Sequence, residues 1–310
     1  MEAITIKLLK RFWCIGLMLA IFSTHLSAQQ DPISSQYMFN PLTFNPSYAG
    51  INDVTNINLN SRFQWSGYDG SPTTYTLAAN TSIVNGKVGL GIMLLNDKIG
   101  VSENTEVQVS YAYKITDGKK VFSFGLQTGF VSYKKNLGEL NLRVDDDPLF
   151  QPGVEKSTKF NVGAGASYMA DNLFISISVP KLINSKVGDG VDIVAYERHF
   201  YILGAYLFHF KPGLKMKPSI LMRGVAGAPL SFDINLSFLI NNQIWAGAFT
   251  RNFNTYGLMA QFEFMDAYKV GYSFEILGNN FSGNMLPTHE IMLSADLALF
   301  SHQDVYKRFF

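Results

Sequence analysis

The sequence predicts an all-β fold: a transmembrane antiparallel up-and-down β-barrel of about 14 strands, with an N-terminal segment packed in its lumen. Three observations predict it. First, stretch after stretch alternates polar and apolar residues, most clearly in N-I-N-L-N-S-R-F-Q-W. There Asn56, Asn58, Asn60, Arg62 and Gln64 alternate with Ile57, Leu59, Ser61, Phe63 and Trp65. Successive side chains on a strand point to opposite faces, so the segment has one wet and one apolar face. One such strand also fits a soluble sheet. Repetition along the chain, with the apolar face often ending in an aromatic such as Trp65, is the mark of a barrel whose exterior touches lipid. Second, the 310 residues are 47% hydrophobic and 14% aromatic but only 16% charged, where soluble domains carry about 25% charged residues. Third, no apolar run after residue 30 approaches the ~20 residues of a spanning helix. Only helices and closed barrels satisfy every backbone group in lipid.

The chain divides into four parts. Residues 1–28 read as a secretory signal: Lys7, Lys10 and Arg11 precede the apolar run 12–22, and Leu26-Ser27-Ala28 offers a small-residue cleavage site before Gln29. The run is too short to span as an anchor. The single cysteine, Cys14, falls inside it, so the processed chain has neither disulfides nor thiolate chemistry. Residues 29–53 are a plug-like segment. Asp31-Pro32, Asn40-Pro41 and Asn45-Pro46 forbid a long helix or a regular strand. Its aromatics Tyr37, Phe39, Phe44 and Tyr48 need a place to pack, and the lumen is the candidate. Residues 54–300 form the barrel and 301–310 a basic tail at the periplasmic end.

Within the barrel, strands are expected at 54–65, 73–84, 87–95, 105–114, 120–132, 160–169, 173–179, 198–210, 215–225, 231–240, 244–251, 256–264, 268–276 and 288–300. Asn85-Gly86 is the strongest short hairpin signal. Asp117-Gly118, Asp171-Asn172, Pro212-Gly213, Asn241-Asn242 and Asp266 mark further tight turns in the same phase, the end taken as periplasmic. Residues 96–104 read as a loop. The connections 133–159 and 180–197 are the two long loops of the opposite end. Pro218 weakens the strand at 215–225, since proline fits only near a strand end or an edge. The glycines in 88–91 and 163–165 mark close backbone approach or a narrow lumen.

Certain residues carry a resemblance. They are Q-D-P-I-S-S-Q-Y-M-F-N-P-L-T-F-N-P-S-Y-A-G at 30–50, Arg62-Phe63-Gln64-Trp65 followed by Gly67, and Thr288-His289-Glu290-Ile291-Met292-Leu293. Together the chain resembles the PorP/SprF family of outer-membrane proteins of the type IX secretion system of Bacteroidetes, over essentially its whole processed length. The resemblance implies a barrel of the fatty-acid-transporter shape working with that machinery. Some members are core components; others are paired with a particular secreted adhesin for export or surface attachment, which in some bacteria is linked to gliding motility. It implies no catalytic residues.

The remaining signals concern binding. Net charge is +1 with Lys and Arg scattered, which excludes a nucleic-acid footprint. His199, His209, His289 and His302 show no ligand spacing, and no nucleophile elbow or phosphate-cradling loop appears. No enzyme, cofactor or small-molecule substrate is expected. Arg62, Asp233, Glu263, Glu275 and Asp296 point inward by register, either as an ion-pair network bracing barrel and plug or as the lining of a conducting path. Asp145, Asp146 and Asp147 form a candidate partner-binding loop, with calcium coordination and a plain solvated acidic loop as the two readings. The tail is a candidate dock for a periplasmic partner, or Phe300 or Phe310 a terminal insertion signal. Two functions stay open. One is a secretion component binding secreted cargo, an adhesin-type C-terminal region, or periplasmic machinery. The other is a diffusion channel or hydrophobic-ligand transporter.

Overall fold

The computed structural model describes residues 33–139, 153–187, 194–226, 228–278, 286–305 and 309–310. The secretory signal and Asp145–Asp147 lie outside them. Strands β1 (Thr55–Phe63), β2 (Thr73–Ile83), β3 (Val88–Ile99), β4 (Ser102–Asp117), β5 (Lys120–Asn136), β6 (Val154–Met169) and β7 (Leu173–Val179) pair each with the next. A separate small hairpin, β8 (Ser185–Val187) and β9 (Val194–Tyr196), follows. Strands β10 (His199–Tyr206) and β11 (Phe208–Lys211) together make one stave, and β12 (Leu214–Val225), β13 (Ser231–Ile240), β14 (Ile244–Arg251), β15 (Thr255–Phe264), β16 (Tyr268–Leu277) and β17 (Thr288–Leu297) complete the wall. β10 bridges β7 to β12, and β17 pairs antiparallel with β1 from Thr55 opposite Leu297 to Phe63 opposite His289. The result is a closed 14-strand antiparallel barrel.

One end carries short turns throughout. At the first, the Lys87 N–H bonds to the Val84 carbonyl around Asn85 and Gly86, both at positive φ. That is the mirror-image turn an Asn-Gly pair selects, because its twist matches that of the flanking strands. We call this the short-turn end and the other the loop end. Along the staves of the wall, outward residues such as Leu59, Ile92, Val109, Leu126, Ile177, Leu236, Leu258 and Leu293 are exposed. Aromatic pairs bracket this apolar band. Phe63 with Tyr75, Phe130 with Phe160, and Phe232 with Phe253 stand toward the loop end; Phe122 with Tyr168, and Phe264 with Tyr268, stand toward the short-turn end. Apolar staves between two aromatic girdles fit a bilayer slab.

The structure corrects four expectations. Residues 96–104 are not a loop: β3 and β4 run through them and turn at Gly100-Val101, with Ile99 opposite Ser102. The connection at 133–159 is shortened from both sides, because β5 continues to Asn136 and β6 begins at Val154. The strand expected at 288–300 ends at Leu297. Pro218 sits mid-strand in β12 rather than at an end or an edge. Its tolerance has a local cause. β10 stops at Tyr206 and β11 begins at Phe208, so the ladder beside Pro218 is already interrupted. Proline's missing N–H therefore breaks no regular pair there.

Candidate functional site

The lumen is occupied by the chain's own first described residues. Asn40-Pro41 and Asn45-Pro46 pre-set single 3-10 turns, each starting on proline, at Pro41–Thr43 and Pro46–Tyr48; a third lies at Tyr37–Phe39. Asn45 Oδ1 caps the last by accepting from the Ser47 N–H at 3.0 Å. The segment enters at the loop end near Ser34 and descends to the short-turn end, where β1 begins. Tyr37, Phe44 and Tyr48 are buried in one apolar cluster with wall residues Met93, Phe174, Tyr201, Leu203 and Met259. Phe44 stacks on Tyr201 at 5.2 Å and Tyr48 meets Phe174 edge-on at 6.0 Å. Phe39 lies lower, edge-on to Trp245 at 5.9 Å.

The wet face of the wall serves this segment rather than bulk water. The Gly50 N–H donates to Asn80 Oδ1 at 3.1 Å, and Asn40 Nδ2 to Asn58 Oδ1 at 3.2 Å. Ser123 Oγ donates to the Ser47 carbonyl at 2.6 Å and Ser178 Oγ to the Phe44 carbonyl at 2.7 Å. Buried backbone needs such partners. The wall glycines clear its path. A Cβ at Gly89 would stand 1.8 Å from the Ala49 carbonyl oxygen, at Gly125 2.2 Å from the Ser47 nitrogen, and at Gly165 2.1 Å from Asn45 Oδ1.

The five inward charges divide between the two ends. At the loop end, Arg62 pairs with Glu275 and, at 3.2 Å, with Glu290. Arg251 joins Asp233 at 2.9 Å to Glu275 at 4.0 Å, which brings Asp233 into the same cluster. The Glu290 carboxylate accepts from Ser34 Oγ, the Ser35 and Gln36 N–H groups, Asn60 Nδ2 and Arg62 Nη1. Ser35 Oγ donates to Glu275 at 2.8 Å. The wall's ion pairs thereby grip the start of the plug. At the short-turn end, Lys269 pairs with Asp296 at 2.6 Å, and Glu263 lies buried opposite Lys269 in the β15–β16 register. Asp296 and Glu263 therefore do not join Arg62.

Sequence reasoning missed Glu290, Arg251, Lys269 and the pairs Lys181–Glu106 (2.6 Å) and Lys114–Asp53. Phase could have found two of them. Glu290 shares the inward phase of Ser294 and Asp296, and Lys269 that of Glu275. Burial and the nearby Asp233 charge raise the Tyr37 phenol above its ordinary range, so it stays protonated.

The tail also enters the barrel. Lys217 Nζ donates to the Phe309 carbonyl at 2.7 Å and lies over the rings of Trp245 (4.5 Å) and Phe39 (4.8 Å). Phe310 stacks on Phe174 at 6.0 Å, and its carbonyl accepts from Asn52 Nδ2 at 3.1 Å. The last residue is thus turned into the lumen, away from the lipid-facing band. Among the described residues no cluster of three or more His, Cys, Asp or Glu could hold a metal ion.

Fold and lumen together define a membrane β-barrel whose interior holds its own plug segment and the pair Phe309-Phe310. The chain belongs to the family of type IX secretion system membrane proteins PorP/SprF, which it matches over residues 26–295. No curated protein matches it. Among solved structures it is similar to the CymD monoaromatic hydrocarbon channel, at 11% identity over 88% of this chain and 95% of that one, with a TM-score of 0.51. A Pseudomonas aeruginosa FadL homologue is 12% identical over 88% of this chain and 96% of that one, TM-score 0.49. The P. putida toluene transporter TodX is 8% identical over 83% and 93%, TM-score 0.47. The likeness to CymD is one of barrel fold alone.

Proposed function

We propose that this protein is an outer-membrane component of the type IX secretion system that binds rather than conducts. The barrel holds secreted cargo, an adhesin-type C-terminal region, or periplasmic machinery, and supports export, surface attachment and, through the adhesin, gliding motility. A secretory leader delivers it, the short-turn end faces the periplasm and the loop end the exterior. The observation that carries this reading, beside family membership, is a lumen occupied by the hydrogen-bonded backbone of the plug and, at the short-turn end, by Phe309 and Phe310. A general pore has no use for such packing. Purification from detergent after in-cell crosslinking tests it. Type IX components or a secreted protein are expected with the barrel. Their absence, together with unchanged secretion in a deletion strain, refutes it.

The second reading is a hydrophobic-ligand transporter. Barrel shape shared with a hydrocarbon channel favours it, as does a cavity near the loop end lined by Ile33, Tyr37, Phe44, Met93, Leu95 and Tyr201. Planar-bilayer recordings and uptake of an aromatic hydrocarbon separate the two readings. Steady conductance or saturable uptake by the unaltered barrel would favour the transporter.

A further inference from the structure

Strands β4, β5 and β6 run 16, 17 and 16 residues, where crossing a bilayer takes about 9–11. The surplus stands at the loop end. Phe130 and Phe160 pair in the girdle there, and Lys134 and Lys156 face each other four residues further out. On one side β6 is paired with β5 from Val154 to Met169; on the other, β7 covers it only from Ala164 to Met169. The ladder on that open side ends in a built stop. The Val162 carbonyl accepts from the Leu182 N–H at 2.8 Å. The Asn161 side chain accepts from the Val162 and Ile183 N–H groups and donates to the Ile183 carbonyl. Beyond it, among the described residues, no strand pairs with Val154–Phe160.

Alternate residues of a strand direct their N–H and C=O to opposite edges. In phase with Val162, residues Val154, Lys156, Thr158 and Phe160 therefore direct theirs to the open edge. The stretch is regular and extended for about 20 Å at ~3.3 Å per residue. Such edges are normally shortened, bulged or covered, because they template another strand.

The charges say what kind of strand fits. Lys98 lies opposite Glu103, Glu103 opposite Lys134, and Lys134 opposite Lys156. Signs alternate across the sheet until the last pair. Like charges directly opposite are unfavourable, and Lys156 stands at the open edge with no ion-paired carboxylate among the described residues. An acidic residue on an added strand beside Lys156 restores the alternation. A second copy in the same membrane stands the same way up, so its β6 could only run parallel and in register would set Lys156 against Lys156.

We propose that the free edge of β6, Val154–Phe160, binds an extended segment of a secreted protein by strand addition, with an Asp or Glu of that segment beside Lys156. The inference rests on the cargo-binding reading above and specifies its contact. Hydrogen exchange and binding on the full-length barrel in detergent test it, with two ten-residue peptides as probes: one alternating threonine with glutamate, the other threonine with lysine. The glutamate peptide is expected to bind at least tenfold tighter and to slow exchange at the Lys156 and Thr158 amides. Thr158→Pro removes an N–H that faces away from β5, so it leaves the barrel ladder intact and is expected to cost the peptide at least tenfold. Lys156→Glu relieves the repulsion with Lys134 and is expected to reverse the peptide preference.

Equal binding of the two peptides, no protection of the edge amides, or unchanged binding by both variants overturns the inference. A dimer of the barrel that dissociates in Thr158→Pro overturns it in favour of a second copy. In cells, a deletion strain that secretes and displays its proteins normally refutes the cargo reading itself. A defective deletion strain whose Thr158→Pro counterpart is normal refutes the edge alone.

Discussion

Substitution of Gly125 by alanine tests the packing of the plug most directly. The added Cβ would meet the Ser47 nitrogen at 2.2 Å, the Pro46 carbonyl carbon at 2.4 Å and the Ser47 Cα at 2.5 Å. All three are backbone atoms, more than an ångström or nearly so inside ordinary contact, and no side chain can swing aside to relieve them. The third 3-10 turn must retreat from the wall. Retreat breaks the bond from Ser123 Oγ to the Ser47 carbonyl and the Ser47–Ser167 hydroxyl contact, both 2.6 Å. Overpacking costs about 1–3 kcal/mol and each lost buried bond roughly 1 kcal/mol. The plug's docking equilibrium should weaken by about 3–5 kcal/mol, or roughly a hundredfold to a few thousandfold. With Cys14 the sole native cysteine, a Ser47→Cys reporter read with a bulky maleimide measures plug exposure, since Ser47 is fully buried. The reporter has already lost the Ser47–Ser167 hydroxyl contact, so about 2–4 kcal/mol remains and labelling should accelerate by about one and a half to three orders of magnitude on adding Gly125→Ala. Gly204→Ala is the control, because a Cβ there meets nothing closer than Ile220 Cγ2 at 3.8 Å. Equal labelling rates in the two variants, with the barrel folded in both, would refute the account of the plug as a segment keyed to the wall by its glycines.

Other outcomes follow from the same contacts. Arg62→Ala strands the buried carboxylates Glu275 and Glu290, and should lower barrel stability by about 3–5 kcal/mol, read as an earlier transition in heat-modified gel mobility. Removal of Phe309 and Phe310 should open Trp245, now buried beside them and Phe39, to quenching by acrylamide, while leaving the wall's circular dichroism unchanged. The Tyr37 phenol is held protonated in the fold, so its stabilising contribution is intact below about pH 10, the unperturbed phenol value, and is lost as pH rises above it. Ultraviolet titration should accordingly find the same number of ionised phenols at pH 11 in Tyr37→Phe as in the unaltered barrel, one fewer only after denaturation. Conductance across a planar bilayer should be near silent for the unaltered protein and rise when the plug segment is displaced by Gly125→Ala.

The sequence disclosed the wall wherever lipid lay on one side and plug on the other, because two different surroundings impose a period of two. It fell silent where that contrast ends. Residues 96–104 are polar on both faces because β3 and β4 there approach the turn at Gly100-Val101, beyond the apolar band. Alternation vanishes while the ladder continues. The same loss of contrast hid the outer parts of β5 and β6. Inward charges were visible as a class, from phase, but not as partners. Arg62 faces Glu290 across the seam between the first and last strands, a neighbour relation set by closure and not by order along the chain. Glycine spacing was informative: Gly89 and Gly165 lie in strands that read as regular, and their want of a side chain marked where Ala49 and Asn45 come close.

The route of the plug constrains how the molecule can be made. Its polypeptide descends from Ser35, held by Glu290, to Ala49, lying against Gly89, before the first stave starts. Once Thr55–Phe63 has zipped to His289–Leu297 the cylinder is shut, and the two residues that hold the head of the plug, Arg62 and Glu290, face each other across that seam. The clasp on Ser35 is therefore complete only when the first and last staves meet, since one supplies Arg62 and the other Glu290.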